Sequence, residues 1–291
     1  MIEKTPLRRV TGQLGIVVAF AAAVLCIPTP GFATPILGAD LATFAVLGAS
    51  GVTNVATSTI GGNLGSAPNA SIGGGYIFTA GSSQANTALA QSAQIQLDAA
   101  ILAVNALGPG LTIGADLTGV ILPGVYTVPA AGTNLSGALI LDGQGNSNAQ
   151  WAFLFPSTLI TSTTSNVFVT NVGSGSDVGL YWSVGTAATL NGPTFAGNVL
   201  ANQLISSDGN LTMGCGRLLS AESQVTLNQD NISTGCDIAG TPGFGSSGFN
   251  GSGAGSQTAV PEPASSILFV IGLIGMVVWN KRKRSKPCLV I

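Results

Sequence analysis

Short runs of Val, Ile, Leu and aromatic residues recur along this 291-residue chain, and each run is bounded by Gly, Asn, Ser or Pro. Such runs are too short for helices, but they suit β-strands that end in turns. Disordered chains contain few such apolar runs. We therefore predict one mainly β domain over residues 34–239, which is long enough to bury a core. The runs begin at Phe44, Leu139, Trp151, Val167, Leu180, Asn198 and Arg217.

Some of these segments repeat one another along the chain. The aligned pairs are Gly197 with Gly216 at an offset of 19, Leu204 with Gln224 at an offset of 20, and Phe153 with Trp182 at an offset of 29. Repeats of about 20 residues are typical of solenoids, in which each coil stacks on the previous one. The irregular offsets predict coils of unequal length.

One segment departs from the strand pattern. Residues 84–107 contain no Gly or Pro and are rich in Ala, Leu and Gln, which predicts one long helix. Ser82 or Ser83 can cap its start, and Gly108-Pro109-Gly110 ends it. Two apolar stripes indicate that the helix lies closely along a sheet. The first stripe contains Ala88, Ser92, Ile95, Ala99, Leu102 and Ala106, and the second contains Ala93, Leu97, Ala100 and Val104.

The charges are distributed unevenly along the chain. Its net charge is −2 and it has no His, while residues 34–259 contain nine acids and a single base, Arg217. General bases and phosphate clamps are therefore scarce, and no Gly-x-Ser-x-Gly motif occurs. We predict that the protein is not an enzyme, needs no cofactor and does not bind nucleic acid, whose phosphates attract basic surfaces.

The N-terminal 33 residues have the three parts of a secretory signal. Basic residues come first, an apolar run follows over 14–27, and small residues occur at Gly31 and Ala33. We predict a signal peptide over residues 1–33 that signal peptidase cleaves after Ala33. An uncleaved membrane anchor is the alternative, but the run of about 14 residues is shorter than the about 20 that a span needs.

The C-terminal residues 260–291 also have three parts, namely a Pro-Glu-Pro motif, an apolar segment over 267–279 and a basic end. The motif is Val260-Pro261-Glu262-Pro263. This arrangement resembles the PEP-CTERM sorting signal, which implies handling by a membrane exosortase in exopolysaccharide-producing bacteria. A plain tail anchor is the alternative, since the segment can span a membrane with its basic end in the cytoplasm.

The uncharged, Gly- and Ser-rich residues 240–259 predict a flexible linker. The protein is thus expected to be exported to the cell surface or the medium, with at least transient anchoring by its C-terminus.

A second resemblance covers nearly all of residues 36–234. Its motifs, in chain order, are Phe44–Asn54, Ile60–Pro68, the Ala- and Gln-rich helix, Leu122–Tyr126, Leu139–Gly145, Trp151–Phe155 and Phe195–Ala201. This order resembles the ice-binding-protein-like family of microbial secreted proteins. The resemblance implies an irregular right-handed β-solenoid (β-helix) of triangular section with one long α-helix packed alongside.

Two other groups of residues need a separate interpretation. Oxygen-bearing side chains occupy alternate positions at Asp142, Gln144, Asn146 and Asn148, as they do in an EF-hand calcium loop. However, Ser147 stands where that loop needs Gly, and Phe153 stands where it needs Glu. We therefore predict a polar turn and no metal site. Cys215 and Cys236 favour a disulfide in an exported domain, with a ligand pair or two free thiols as alternatives.

The family's ice-site motif, Thr-Ala/Gly-x-Thr/Asn, occurs once, as Thr186-Ala187-Ala188-Thr189. Short side chains at a strand spacing of about 4.7–4.9 Å form a flat lattice, on which Thr methyl and hydroxyl groups can hold ordered water. Neighbouring coils offer candidates for the same face, which are Thr161, Thr163, Ser206 and Thr226. We predict ice binding through this flat Thr/Ser/Ala face.

An alternative function stays open, because Thr favours exposed strand positions in general and the motif occurs only once. In this alternative, the protein is a structural or adhesive component of the cell surface or the exopolysaccharide matrix. It would use the same scaffold without ice activity.

Overall fold

The computed structural model describes residues 36–173 and 178–235. The predicted signal peptide, the linker over 240–259 and the sorting signal over 260–291 with its apolar segment lie outside the described residues. Within the described ranges, no helix has the length and apolar character needed to cross a membrane.

The described chain is mainly β, with one long helix. A 3-10 turn at Leu41–Thr43 precedes the strands. The strands are β1 Phe44–Gly48, β2 Gly51–Gly61, β3 Asn63–Ser66, β4 Ile72–Ala80, β5 Ser83–Ala85, β6 Leu111–Thr112, β7 Gly119–Ile121, β8 Gly124–Thr127, β9 Ala138–Asp142, β10 Gln150–Phe155, β11 Leu159–Ile160, β12 Asn166–Thr170, β13 Gly179–Val184, β14 Ala188–Leu190, β15 Thr194–Ala201, β16 Ile205–Ser207, β17 Thr212–Ser220, β18 Gln224–Leu227 and β19 Asn231–Ser233. The helix α1 is Ala88–Asn105. All seven apolar runs named from the sequence lie in strands, as predicted.

The strands pair in parallel and form three ladders in an unclosed sheet. The first ladder has the order β5-β3-β1-β17-β15-β13-β10-β8-β6. The second is β11-β14-β16-β18-β2-β4, and the third is β7-β9-β12-β15-β17-β19-β2-β4. Long strands such as β2 and β17 contribute to two ladders.

The register of these ladders follows the offsets seen in the sequence. Gly197 pairs with Gly216, and Phe153 pairs with Trp182. The offset of 20 is confirmed one residue further along, where Ile205 pairs with Val225. Near-repeats in the sequence therefore mark residues that stack directly on one another.

The N-terminal strands β1–β5 stack beside the last strands of the chain and not beside β6–β9, which follow them in sequence. Instead β1 lies between β3 and β17, so that β1–β5 extend the stack beyond the C-terminal coils. The helix returns the chain along the first ladder. Its 18 residues span about 27 Å, close to the about 29 Å of the six inter-strand steps from β5 to β10.

Hydrogen bonds fix the path of α1 along this ladder. The side-chain nitrogen of Gln94 donates to the carbonyl oxygen of Ser220 at 3.1 Å and to that of Ala221 at 2.8 Å. Further along the helix, the hydroxyl of Ser183 donates to the side-chain oxygen of Asn105 at 2.7 Å. These bonds connect α1 to the end of β17 and then to β13.

The helix is shorter than the predicted segment 84–107. Residues Ser83–Ala85 pair with β3 as strand β5, and Asn86 takes a φ of 50°, which no helical residue has. The cap is therefore Thr87, whose hydroxyl accepts from the Ala90 N–H at 3.3 Å, and the predicted capping by Ser82 or Ser83 is wrong.

Only one of the two predicted helix stripes is buried. The second stripe, which includes Leu97 and Val104, packs against the first ladder. The first stripe faces outward, with Ile95 72% and Leu102 71% exposed. The helix lies closely along a sheet, as predicted, but it does so through the second stripe alone, because a helix on a single sheet can bury only one side.

The core consists of two apolar clusters on opposite sides of the first ladder. One cluster joins inward-facing residues of the three ladders, and the other lies between the first ladder and α1. Central strands of the first ladder, such as β1 and β13, are therefore buried on both faces. Aromatic rings stack through the first cluster, with centroid distances of 5.5 Å for Tyr126–Phe153, 4.5 Å for Phe153–Trp182 and 4.8 Å for Trp182–Phe195.

Arg217 is fully buried on β17, next to the N-terminal turn. Its Nε and one terminal nitrogen donate to the Ala42 carbonyl oxygen at 3.2 and 2.7 Å, and the other terminal nitrogen donates to Asn198 Oδ1 at 2.8 Å. Burial lowers the pKa of Arg217 to about 10. This side chain ties the 3-10 turn to β17.

Cys215, also on β17, is buried and disulfide-bonded, while its predicted partner Cys236 lies outside the described residues. Peptide mapping without reduction is expected to recover one cross-linked Cys215–Cys236 peptide. Closing a loop of about 20 residues contributes about 3 kcal/mol in the chain-entropy model, so Cys215→Ser is expected to lower the free energy of unfolding by about that amount. Alkylation of Cys236 without prior reduction would contradict the pairing.

A candidate binding face on the second ladder

The second ladder brings four hydroxyl-bearing residues into one line. Thr189 on β14 pairs with Ser206 on β16, Ser206 with Thr226 on β18, and Thr226 with Thr53 on β2. We call these four residues the Thr/Ser row. Since neighbouring strands lie about 4.7–4.9 Å apart, the row repeats a short polar side chain at that spacing over four successive coils.

Strand alternation explains why these side chains face outward. The residues that precede them, Ala188, Ile205, Val225 and Val52, are fully buried in the core. Side chains alternate between the two faces of a strand, so the next residue of each strand lies on the outer face. All four members of the row are half-buried. Such burial is expected on a flat sheet where short side chains shield their neighbours.

Hydroxyl groups within the row bond to one another. Thr53 Oγ1 donates to Thr226 Oγ1 at 3.2 Å, and Ser206 Oγ donates to Thr189 Oγ1 at 3.5 Å. These contacts orient the hydroxyls along the ladder. The row ends at Ile160 on one side and at Gly73 on the other, where the polar pattern stops.

Thr161 and Thr163 do not belong to this row. Thr161 is only 1% exposed, and its Oγ1 accepts from the backbone N–H of Asn191 at 2.8 Å, so it joins two coils inside the fold. Thr163 lies in the turn between β11 and β12, where no strand fixes its direction. The burial of Thr161 corrects its sequence-based placement on the face, whereas the placement of Thr163 stays a prediction.

The first half of the ice-site motif lies just before β14. Thr186 occupies a bend, and its Oγ1 is buried with no hydrogen-bond partner among the described residues. Ala187 is half-buried and precedes Thr189 by two residues, so the two share a side of the chain. The structure thus brings together Thr189, Ser206 and Thr226, with Ala187 beside them, while the Thr186 hydroxyl is buried.

Thr53 is the member of the row that sequence reasoning missed. It lies 173 residues before Thr226 in the chain, and the offsets near 20 residues do not connect the two. Only the placement of β2 beside β18 brings them together. The alternation of buried Val52 with Thr53 was a usable signal for an outward position, but it carried no information on the neighbouring strand.

The third ladder has a comparable outward line, which the sequence analysis did not identify. Asn166, Thr194, Thr212, Asn231 and Thr59 follow one another in register and form what we call the Asn/Thr row. It contains no copy of the ice-site motif. Its central residue Thr212 is half-buried like Thr226, which makes it a matched position for comparison.

The loop around Asp142 forms a polar turn. One carboxylate oxygen of Asp142 accepts from the Gln144 N–H and from the Asn171 side-chain nitrogen, both at 2.9 Å. These bonds favour the charged form and lower the pKa of Asp142 below its ordinary value. Across residues 36–173 and 178–235, no group of three or more His, Cys, Asp or Glu side chains is placed to hold a metal ion.

The arrangement defines a class of protein with parallel stacked strands, a helix along one ladder and an uncharged Thr/Ser row on another. The family model described as ice-binding-like matches residues 46–233. The chain therefore belongs to the ice-binding-like family.

Individual relatives agree with this assignment. An ice-binding protein of Nostoc sp. (strain HG1) is 31% identical over 251 residues, which cover 83% of this chain and 84% of that protein. The crystal structure of an ice-binding protein from the Antarctic ascomycete Antarctomyces psychrotrophicus matches with a TM-score of 0.58 and 29% identity, covering 69% of this chain and 98% of that one. An ice-binding protein from an Antarctic biological consortium matches with a TM-score of 0.60 and 28% identity, covering 69% and 91%.

Proposed function

We propose that this protein binds ice through the Thr/Ser row. Family membership and relatives that are named ice-binding proteins support this function. The row itself carries the proposal, because four short hydroxyl side chains at regular spacing offer water a repeated set of hydrogen-bonding sites on a flat surface. No member of the row is charged.

The finer architecture is part of the same proposal. We infer a right-handed β-solenoid of triangular section, whose three sides correspond to the three ladders. Nearly all parallel crossover connections are right-handed, which supports the inferred hand. A solenoid of this kind would present the Thr/Ser row and the Asn/Thr row on different sides, and α1 would cover the third.

We also propose that the protein acts outside the cell. In this proposal, signal peptidase cleaves after Ala33 and an exosortase handles the tail that contains Val260–Pro263. The acidic, nearly base-free domain would then work at the cell surface or in the medium. Its attachment would depend on whether the apolar segment over 267–279 is removed.

The test is thermal hysteresis and recrystallisation inhibition by the purified protein. Thr226→Tyr is expected to remove most of both activities, because a large ring in the middle of the row lifts the surface away from the ice lattice. Thr212→Tyr makes the same change in the Asn/Thr row and is expected to retain activity.

Absence of ice activity in the unmodified protein would contradict the proposed function. Equal losses of ice activity in Thr226→Tyr and Thr212→Tyr would contradict the placement of the ice-binding face on the Thr/Ser row. Retention of exopolysaccharide in a pull-down without ice activity would instead favour the adhesive function. The observation that supports this second function is the resemblance of the C-terminal tail to a sorting signal.

A further inference from the structure

Strand β4 ends two of the three ladders. It pairs with β2, and among the described residues it has no second partner strand. All nine of its residues are exposed or half-buried, and Ile77 is 57% exposed. Alternate residues of a paired strand direct their N–H and C=O groups away from the partner. One edge of β4 therefore offers backbone groups that no described strand pairs with, although the Gly73 carbonyl oxygen accepts from the Tyr76 hydroxyl at 2.9 Å.

The other ladder ends in the described part of the chain are much shorter. Strands β6 and β11 have two residues each, and β5 and β7 have three. Short edge strands are one way in which proteins prevent edge-to-edge association. With nine residues, β4 lacks this protection, and its central residues Gly75–Phe78 pair with β2 without a register shift.

Strand β4 also lacks charge and Pro as protection, although its pairing with β2 shifts register on both sides of Gly75–Phe78. Edge strands are usually guarded by Lys or other charges and by Pro. Strand β4 contains neither, and no charged residue occurs anywhere between Asp40 and Asp98, a segment that includes β1–β5. The exposed edge instead combines three glycines at 73–75, which allow close backbone approach, with the apolar side chain of Ile77.

We propose that two copies of this protein associate through antiparallel pairing of their β4 edges in a two-fold symmetric dimer. A two-fold contact places the same surface of each copy face to face, so any net charge on it would meet its own sign. An uncharged edge avoids this repulsion, which is why a second copy fits better than a partner chosen by charge. The Ile77 side chains of the two copies would lie on the same face of the joined sheet.

Sedimentation velocity over a range of protein concentrations tests the dimer with the full chain. The unmodified protein is expected to shift from monomer to dimer as its concentration rises. Ile77→Lys places like charges within the pairing edge and is expected to raise the dissociation constant at least about tenfold. Leu102→Lys is the matched control, because Leu102 is also highly exposed but lies on α1, and it is expected to change nothing.

Two further measurements keep the test decisive. Ile77→Glu is expected to weaken the dimer as Ile77→Lys does, and thermal unfolding checks that each variant is folded. Hydrogen exchange of β4 amides is expected to slow with concentration in the unmodified protein and in Leu102→Lys, but not in the two Ile77 variants. A protein that stays monomeric at all concentrations overturns the proposal, even if another segment of the chain protects its β4 amides. A dimer that persists in both Ile77→Lys and Ile77→Glu overturns it as well.

Discussion

Replacement of Trp182 by Ala is expected to lower the free energy of unfolding by about 3–5 kcal/mol, because it opens a cavity in the largest apolar cluster. Trp182 is fully buried, and its ring stacks on Phe153 at a centroid distance of 4.5 Å and contacts Phe195 at 4.8 Å with a tilt of 43°. Its indole N–H donates to the Ala196 carbonyl oxygen at 2.8 Å. The substitution therefore removes a large ring and also leaves a buried acceptor without its donor.

Urea unfolding followed by circular dichroism measures this loss. Phe168→Ala is the control, because Phe168 is an aromatic strand residue that is 42% exposed, and its loss is expected to stay below about 1 kcal/mol. Trp182→Phe keeps an aromatic ring but not the hydrogen bond and is expected to fall between the two. A loss below about 1 kcal/mol for Trp182→Ala would contradict the packing described here.

Replacement of Arg217 by Ala is expected to lower the free energy of unfolding by about 3–5 kcal/mol. The substitution leaves the Ala42 carbonyl and Asn198 Oδ1 without their buried donor, at about 1–3 kcal/mol for each acceptor, and adds a cavity. Loss of the buried charge offsets part of this cost, since burial disfavours the guanidinium.

The effect of Arg217→Ala is expected to be local as well as global. Relative to the unmodified protein, hydrogen exchange in the variant should accelerate more over residues 41–48 than over β10. The reason is that Arg217 bonds the N-terminal turn to β17. Arg217→Lys keeps the charge but not the forked geometry, so an intermediate loss is expected. Equal exchange rates over residues 41–48 in Arg217→Ala and in the unmodified protein would contradict this role of Arg217.

Local sequence features predicted much of this fold. The apolar runs at Leu139 and Trp151 became strands because short β-branched and aromatic segments between turn residues have few other ways to bury their side chains. The offset that relates Phe153 to Trp182 became a strand register, since stacked coils place similar residues above one another.

Features set by distant contacts could not be predicted in this way. The start of α1 depends on the pairing of Ser83–Ala85 with β3, which overrides a good helical composition. Thr161 is buried because its hydroxyl accepts from a residue of the next coil, and nothing in its own segment indicates this. Thr53 joins the candidate face only because β2 lies beside β18.

The position of β1 between β3 and β17 has a consequence for the order of folding. Val46 pairs with Leu218, so β1 meets its C-terminal partner β17 only after most of the domain has been synthesised. Contacts between such distant residues carry a large loop-closure entropy and slow the search for the native state. We expect refolding to be limited by this final docking step, with the central coils becoming protected from exchange before β1–β5.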